Sequence, residues 1–165
     1  MSAFEGKKVL IAYYTASGTT GNVARYIKEF ICHADELSIE TIPPYPKEYD
    51  PLCECAKKDL DHGVLPKIVS NGNVSNYDVI FLGSPCWSSR LSCPVSSFLA
   101  SADFHGKIII PFITHGGSGM ASTVSDIKKY APGAKIVGGR AFGNPVWVRG
   151  FTRNDVERWI QSIKL

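Results

Sequence analysis

Short apolar runs alternate with amphipathic stretches along the whole chain. Residues 9–14 form a continuous apolar run, which is typical of a strand buried on both faces of a parallel sheet. Residues 79–82 and 108–110 predict two more buried strands, and 136–137 predict a short fifth. Residues 37–42 instead alternate between apolar and polar, which predicts a half-exposed strand at the edge of the sheet.

Helical patterns follow these strands. We expect one helix to begin at Asp50, with a capping carboxylate and with Pro51 in its first turn, and to end at Gly63. Thr152 and Asp155 have the spacing of a capping box, so they predict the start of the last helix. The buried face of that helix is predicted to contain Val156, Trp159, Ile160 and Ile163.

Five strand–helix alternations predict an α/β fold in three layers, with a five-stranded parallel sheet between helices on both faces. Because the second strand is the one that alternates, the predicted strand order is 2-1-3-4-5. No linker divides the sequence, so we expect residues 1–165 to form a single domain. Ligands of such sheets bind at the carboxyl ends of the strands, here between strands one and three. Pro111 lies in the fourth strand and removes a ladder donor, and the pattern gives no reason for it.

Composition narrows the class of protein. Of the 165 residues, 44% are hydrophobic and 20% are charged, which is ordinary for a soluble globular protein. No apolar run approaches the ~20 residues that cross a bilayer, and the start shows no signal-peptide pattern, so we expect a cytoplasmic protein without a membrane partner. The net charge of +3 is scattered, which gives no support for nucleic-acid binding. We expect the five cysteines to be free thiols, and Cys53, Cys55 and His62 lack the second ligand pair of a zinc site.

The loop after the first strand combines four hydroxyl side chains with a glycine. A helix begins here, and the free backbone N–H groups at a helix N-terminus favour a phosphate. The loop contains no Lys or Arg, so it is not a Walker loop. A solvated loop with a capping threonine is the alternative. The residues predicted to bind phosphate are Thr15, Ala16, Ser17, Gly18, Thr19 and Thr20.

The spacing Thr15-x-Ser17-Gly18-x-Thr20 resembles the phosphate loop of flavodoxins, (Thr/Ser)-x-(Thr/Ser)-Gly-x-Thr. The resemblance runs from the first strand to about residue 137 and implies a flavodoxin-like fold. It also implies FMN as the cofactor, with the loop wrapped around the terminal phosphate without a cationic side chain.

A second candidate loop follows the third strand. Trp87 is exposed apolar surface in a polar loop, which suits flavin stacking; the alternative is that Trp87 folds back onto the core. The segment is similar to the Pro-x-Trp-Trp-Gly loop of a bacterial flavodoxin-like group, with Ser88 and Ser89 in place of the second Trp and the Gly. We expect Ser89 to resist a positive φ more than glycine does. Cys86 and Arg90 are too close together for a Cys-x5-Arg phosphatase loop. The resemblance places Ser84, Pro85, Cys86, Trp87 and Ser88 beside the cofactor.

A third candidate loop, Thr-His-Gly-Gly-Ser-Gly over residues 114–119, follows the fourth strand. Its glycines permit close approach of a planar ligand, and Ser118 is expected to cap the next helix. The loop also looks like the His-Gly-Gly loop of esterases, but the sequence contains no Gly-x-Ser-x-Gly elbow. His115 either meets the ring or a substrate, or is hydrogen-bonded within the loop. The bacterial flavodoxin-like group carries this loop beside the flavin, which implies cofactor contacts for His115, Gly116, Gly117 and Gly119.

The resemblance implies a low-potential electron carrier that exchanges electrons with partner proteins, a reductase and an acceptor. The alternative is an FMN-dependent NAD(P)H:quinone-type reductase, for which the small Ser88 would leave room above the ring. A flavodoxin-fold module that has lost FMN conflicts with the intact phosphate loop.

Charge near the predicted ring position suggests how the cofactor would be tuned. Segments 84–93 and 114–125 contain no Asp or Glu, but they contain Arg90 and His115, and segment 138–151 adds arginines without an acid. Negative charge nearby destabilises a reduced, anionic flavin. The lack of carboxylates therefore predicts a second reduction potential that is less negative than in strongly acidic flavodoxins.

Overall fold

A parallel sheet forms the middle layer of the computed structural model, which describes residues 2–143 and 150–165. The strands are β1 (Val9–Tyr13), β2 (Asp35–Ser38), β3 (Val79–Trp87), β4 (Arg90–Leu91), β5 (Ile108–His115), β6 (Lys135–Ile136) and β7 (Arg140–Gly143). The sheet runs in the order β2-β1-β3-β5-β6, and β7 pairs with β5 beyond β6, also in parallel. The predicted order 2-1-3-4-5 is confirmed, with β6 and β7 together in the fifth place. β4 pairs antiparallel with the end of β3.

Helices cover both faces of this sheet. They are α1 (Thr19–Phe30), α2 (Tyr49–Asp61), α3 (Cys93–Ala100), α4 (Thr123–Tyr130) and α5 (Arg153–Ser162). On one face α1 packs with α5, and Val23, Ile27 and Trp159 meet Phe81 and Phe112 in a buried cluster. Side chains of α3 and α4 form a second cluster on the other face, which confirms the three layers. Full burial of one such aliphatic or Phe side chain contributes about 1.5–3 kcal/mol. None of the helices in the described ranges is long and apolar enough to cross a membrane.

The edge strand is confirmed, but its bounds differ from the predicted 37–42. β2 pairs with β1 over only four residues, and the chain then leaves the sheet, where Thr41 forms an antiparallel bridge with Ile68. The alternation continues past the strand, since Ile39 and Thr41 are both buried. Burial therefore keeps a period of two beyond the strand, although at its end the polar Thr41 is buried and Ile42 is 50% exposed. The hydrogen-bonding partner changes from β1 to a neighbouring loop.

Helix boundaries agree with the sequence in part. Glu48 is the N-cap of α2 and makes no side-chain cap bond, so the expected capping role of Asp50 is wrong; Asp50 lies in the first turn, where its charge suits the helix dipole. Gly63 follows the end of α2 with a φ of +63°, which confirms the predicted end. Thr152 and Asp155 form the predicted capping box of α5. The predicted inward face of α5 is buried: Val156, Trp159, Ile160 and Ile163.

Pro111 lies opposite a break between β6 and β7. The carbonyl of Ile109 accepts a hydrogen bond from the Val137 N–H at 3.1 Å, so the backbone polar groups of Ile109 point toward the side of β5 on which β6 and β7 lie. Pro111, two residues further along the strand, points to the same side. The missing N–H of Pro111 therefore falls at residues 137–139, where no strand pairs with β5. The proline ring fills the gap, with Cγ 3.0 Å from where a β-carbon on Gly139 would lie. The break explains how the strand accommodates a proline.

Candidate functional site

The carboxyl ends of β1, β3 and β5 lie side by side, which brings the three predicted loops to one edge of the sheet. The Thr15 side chain shapes the first loop, because its Oγ1 accepts hydrogen bonds from the N–H groups of Gly18 at 3.0 Å and Gly21 at 3.2 Å. Gly18 is the N-cap of α1 and has a φ of +95°, a conformation that favours glycine. The predicted strand-to-helix turn is present, and a threonine hydroxyl holds it closed.

Free donors line the outside of this loop. Among the described residues, the backbone N–H groups of Ser17, Thr19 and Thr20 have no hydrogen-bond partner. The hydroxyls of Ser17 and Thr19 lie 3.5 Å apart, on an exposed and a half-buried residue. These donors surround the positive end of the α1 dipole. A terminal phosphate fits such a cradle without a cationic side chain.

Thr20 has a different position from the other loop hydroxyls. Its Oγ1 lies 2.7 Å from Oγ1 of Thr114 on β5, and both side chains are buried. Thr20 therefore offers a phosphate its backbone N–H, while its hydroxyl joins α1 to β5. Sequence spacing alone cannot separate these two roles, because the partner is 94 residues away.

Residues predicted as a loop after the third strand instead form the end of β3. Ser84 and Pro85 stay in register with Ile113 and Thr114 of β5, so the loop prediction is wrong here. Ser84 is fully buried, and its hydroxyl accepts the N–H of Ser92 at 3.1 Å while lying 2.8 Å from the Ser92 hydroxyl. This pair supports the base of the hairpin that β3 and β4 form.

The hairpin turns at two serines in the left-handed region. Ser88 has a φ of +48° and Ser89 a φ of +64°, so Ser89 adopts the conformation that it was expected to resist more than glycine does. Left-handed geometry costs a non-glycine residue about 1–2 kcal/mol, which neighbouring contacts must offset. Cys86 is half-buried opposite Leu91, and Trp87 pairs with Arg90 across the hairpin.

Trp87 packs against two tyrosines that flank the same edge. Its ring centroid lies 5.5 Å from that of Tyr14 and 5.2 Å from that of Tyr45, both in edge-to-face geometry. The Tyr45 hydroxyl donates to Asp59 at 2.6 Å. The Tyr45 pKa is raised mainly by burial and also by this hydrogen bond. Burial also raises the Tyr14 pKa to about 12, so neither phenol ionises near neutral pH. The half-buried indole therefore belongs to an aromatic wall beside the loops.

His115 ends β5, where it begins the third loop. Its Nδ1 accepts the N–H of Gly117 at 3.0 Å, which leaves the proton of the neutral ring on Nε2. Burial lowers the His115 pKa, which favours the neutral ring. The expected cap role of Ser118 is wrong, because Ser122 is the N-cap of α4. The glycines predicted to contact the cofactor, Gly116, Gly117 and Gly119, have open space where a β-carbon would lie.

The sequence matches one protein family over nearly its whole length. A family model described as flavodoxin matches residues 8–163. The chain belongs to the flavodoxin family. No match was found among curated proteins.

Solved structures show the same fold. A Bacteroides uniformis protein assigned as a flavoprotein is 25% identical, with a TM-score of 0.76 over 96% of this chain and 100% of its own. A Lactobacillus acidophilus flavoprotein solved in complex with FMN is 25% identical, with a TM-score of 0.70 over 82% of this chain and 93% of its own. A Fusobacterium nucleatum flavodoxin bound to FMN is 15% identical, with a TM-score of 0.54 over 93% of this chain and 95% of its own. At this level of identity the similarity shows the fold alone.

In this flavodoxin, the positive charge near the predicted flavin ring is paired with a carboxylate. Arg90 is not a free cation, because Nε and Nη2 of its guanidinium make a forked pair with the carboxylate of Asp126, at distances down to 2.6 Å. Although burial opposes ionisation of Asp126, the bonds from Arg90 and the Leu91 N–H lower its pKa overall. Asp126 follows the second ring-side segment directly, and once it is counted the charge of Arg90 is balanced.

The segment after β6 is described only in part. Arg140 is exposed, and its guanidinium lies 5.1 Å from the ring centroid of Phe142 and donates to the Asp155 carbonyl at 3.2 Å. The rest of segment 138–151 includes Asn144, Trp147 and Arg149, which lie outside the described residues.

Two side chains beside these loops, Tyr45 and Asp126, were not among the site residues predicted from the sequence. Tyr45 precedes α2 in a proline-rich stretch and reaches Trp87 only through the fold. Asp126 lies one residue beyond the acid-free segment 114–125, and it pairs with Arg90, 36 positions earlier. Each could have been flagged as a polar or aromatic residue at a helix boundary, but only the structure shows the partner.

Proposed function

We propose that this flavodoxin binds one FMN per chain and serves as a low-potential electron carrier between a reductase and an acceptor protein. The observation that carries the proposal is the set of unpaired N–H groups of Ser17, Thr19 and Thr20 around the turn at Gly18. The Lactobacillus acidophilus relative, solved in complex with FMN, adds support.

Each part of the site has a separate task toward the cofactor. FMN, when bound, supplies the redox chemistry. The phosphate loop would hold the terminal phosphate, and Trp87 with Tyr14 and Tyr45 would give an apolar wall for the ring. His115 would present its Nε2–H as a neutral donor, because Nδ1 is occupied by Gly117.

Titration of the purified, flavin-free protein tests the cofactor. We expect saturation at one FMN per chain and weaker binding of riboflavin, because riboflavin lacks the phosphate that the loop satisfies. Equal affinity for the two flavins would contradict the assignment of the loop.

Steady-state turnover separates a carrier from an enzyme. A carrier alone should not oxidise NAD(P)H with a quinone, whereas it should pass electrons from an added flavodoxin reductase to cytochrome c. Rapid NAD(P)H oxidation by the purified protein alone would replace the carrier proposal by the quinone-reductase alternative.

We also propose a cytoplasmic location. Within the described residues all five cysteines are free, and Cys32, Cys53 and Cys55 are exposed, which suits a reducing compartment. Cell fractionation tests this, and recovery of the protein in an oxidising compartment would contradict it.

A further inference from the structure

The first turn of α4 holds the β3–β4 hairpin at three points. The Asp126 carboxylate accepts from Arg90 Nε and Nη2, with a shortest distance of 2.6 Å, and from the Leu91 N–H at 3.0 Å. Ser122 donates its N–H to the carbonyl of Ser89 at 3.0 Å. The Asp126 N–H in turn donates to the Ser122 carbonyl at 3.0 Å, so all the contacts come from one helical turn.

The hairpin needs support because both residues of its turn are strained. Ser88 and Ser89 keep positive φ angles that disfavour any side chain, and such geometry persists only where the surroundings enforce it. The Asp126 side chain is charged yet only 8% exposed. Within the described part of the chain, every hydrogen bond of its carboxylate goes to this hairpin. Burial of the charge is therefore matched by hairpin donors.

We propose that Asp126 is a positioning residue of the flavin site, which holds the strained turn and thereby fixes Trp87. This rests on the proposed function, because it concerns the ring side of the FMN site. Arg90 lies directly across the hairpin from Trp87, so release of Arg90 frees the backbone that carries the indole.

Hydrogen exchange in the flavin-free protein tests whether Asp126 stabilises the β3–β4 hairpin. Asp126→Ala, or the milder Asp126→Asn if the alanine variant does not fold, should speed exchange of the Ser122 and Leu91 amides by about tenfold or more. The indole N–H resonance of Trp87, assigned with Trp87→Phe, should also move. Asp103→Ala is the matched control, since Asp103 also accepts a backbone N–H, at 2.9 Å, before β5 at the opposite edge. Unchanged exchange of both amides would overturn the proposal.

FMN titration separates positioning from a general loss of stability. Asp126→Ala should raise the Kd for FMN by about tenfold or more, and adding Ser89→Gly should restore most of the affinity, because glycine adopts a left-handed φ without strain. Ser101→Gly is the matched control, since Ser101 has a φ of −84° and glycine relieves nothing there. An unchanged Kd in Asp126→Ala, or no rescue by Ser89→Gly, would overturn the proposal.

The two experiments keep this proposal apart from FMN binding itself. If the wild-type protein binds no FMN, the proposed function fails. The hydrogen-exchange result then still decides whether Asp126 holds the hairpin and its indole.

Discussion

Replacing Ser17 and Thr19 together by alanine removes two hydroxyls from the phosphate loop without touching the bonds that shape it. The shape depends on the Thr15 hydroxyl and on the buried contact between Thr20 and Thr114. A hydrogen bond to a charged group contributes about 1.5–3 kcal/mol, and we take the lower value for each hydroxyl because both are accessible to water. The sum of about 3 kcal/mol, at ~1.4 kcal/mol per factor of ten, raises the Kd for FMN roughly 100-fold.

Calorimetric titration with FMN and with riboflavin, at one ionic strength, measures this effect. Riboflavin affinity should stay unchanged in the double variant, because riboflavin has no phosphate to lose contact with. Thr114→Val is the contrasting variant: it removes the buried partner of Thr20, which shapes the loop, and keeps the Ser17 and Thr19 hydroxyls. It should lower the free energy of unfolding by about 1–3 kcal/mol. Equal weakening of both flavins, or an unchanged FMN affinity, would refute the reasoning.

On the ring side of the site, Trp87, His115 and Asp126 are each expected to affect a different measurement. FMN binding should quench Trp87 fluorescence, and Trp87→Ala should abolish the quenching and weaken FMN while unfolding stays cooperative; quenching that survives would identify Trp147 or Trp159 as the reporter. Burial depresses the folded-state pKa of His115, so its contribution to stability is present above about pH 6.5 and lost as the pH falls. In His115→Gln, the midpoint of denaturation should therefore depend less on pH across that range. Asp126→Asn leaves its arginine partner uncompensated, so spectroelectrochemistry should find a less negative second potential than in the wild type; an unshifted potential would place this pair too far from the ring.

The fold could be predicted because its main signal is local. Continuous apolar runs and one alternating strand give the sheet order, and the capping box of α5 is complete within four residues. Strand lengths could not be predicted in the same way. β3 continues through Ser84 and Pro85, which look like loop residues, because pairing with β5 and the Ser92 hydroxyl satisfy them.

The candidate site divides in a similar way. The phosphate loop is one short segment, so its residue types and spacing were sufficient to find it. The charge near the ring depends on Arg90 and Asp126, which meet only after α3, β5 and α4 have folded. The sequence shows Arg90 in this region, but for that reason it does not show the carboxylate that balances its charge.

The buried contact between Thr20 and Thr114 has a consequence for which ligands the protein accepts. One partner lies in the first turn of α1, and the other is the residue before His115. This hydrogen bond therefore fixes the distance between the loop that would bind an anion and the loop that would contact a planar ring. The site should therefore select a ligand by its length as well as by its chemistry. A phosphate ester with a shorter chain between phosphate and ring would reach the phosphate loop but not the loop at His115.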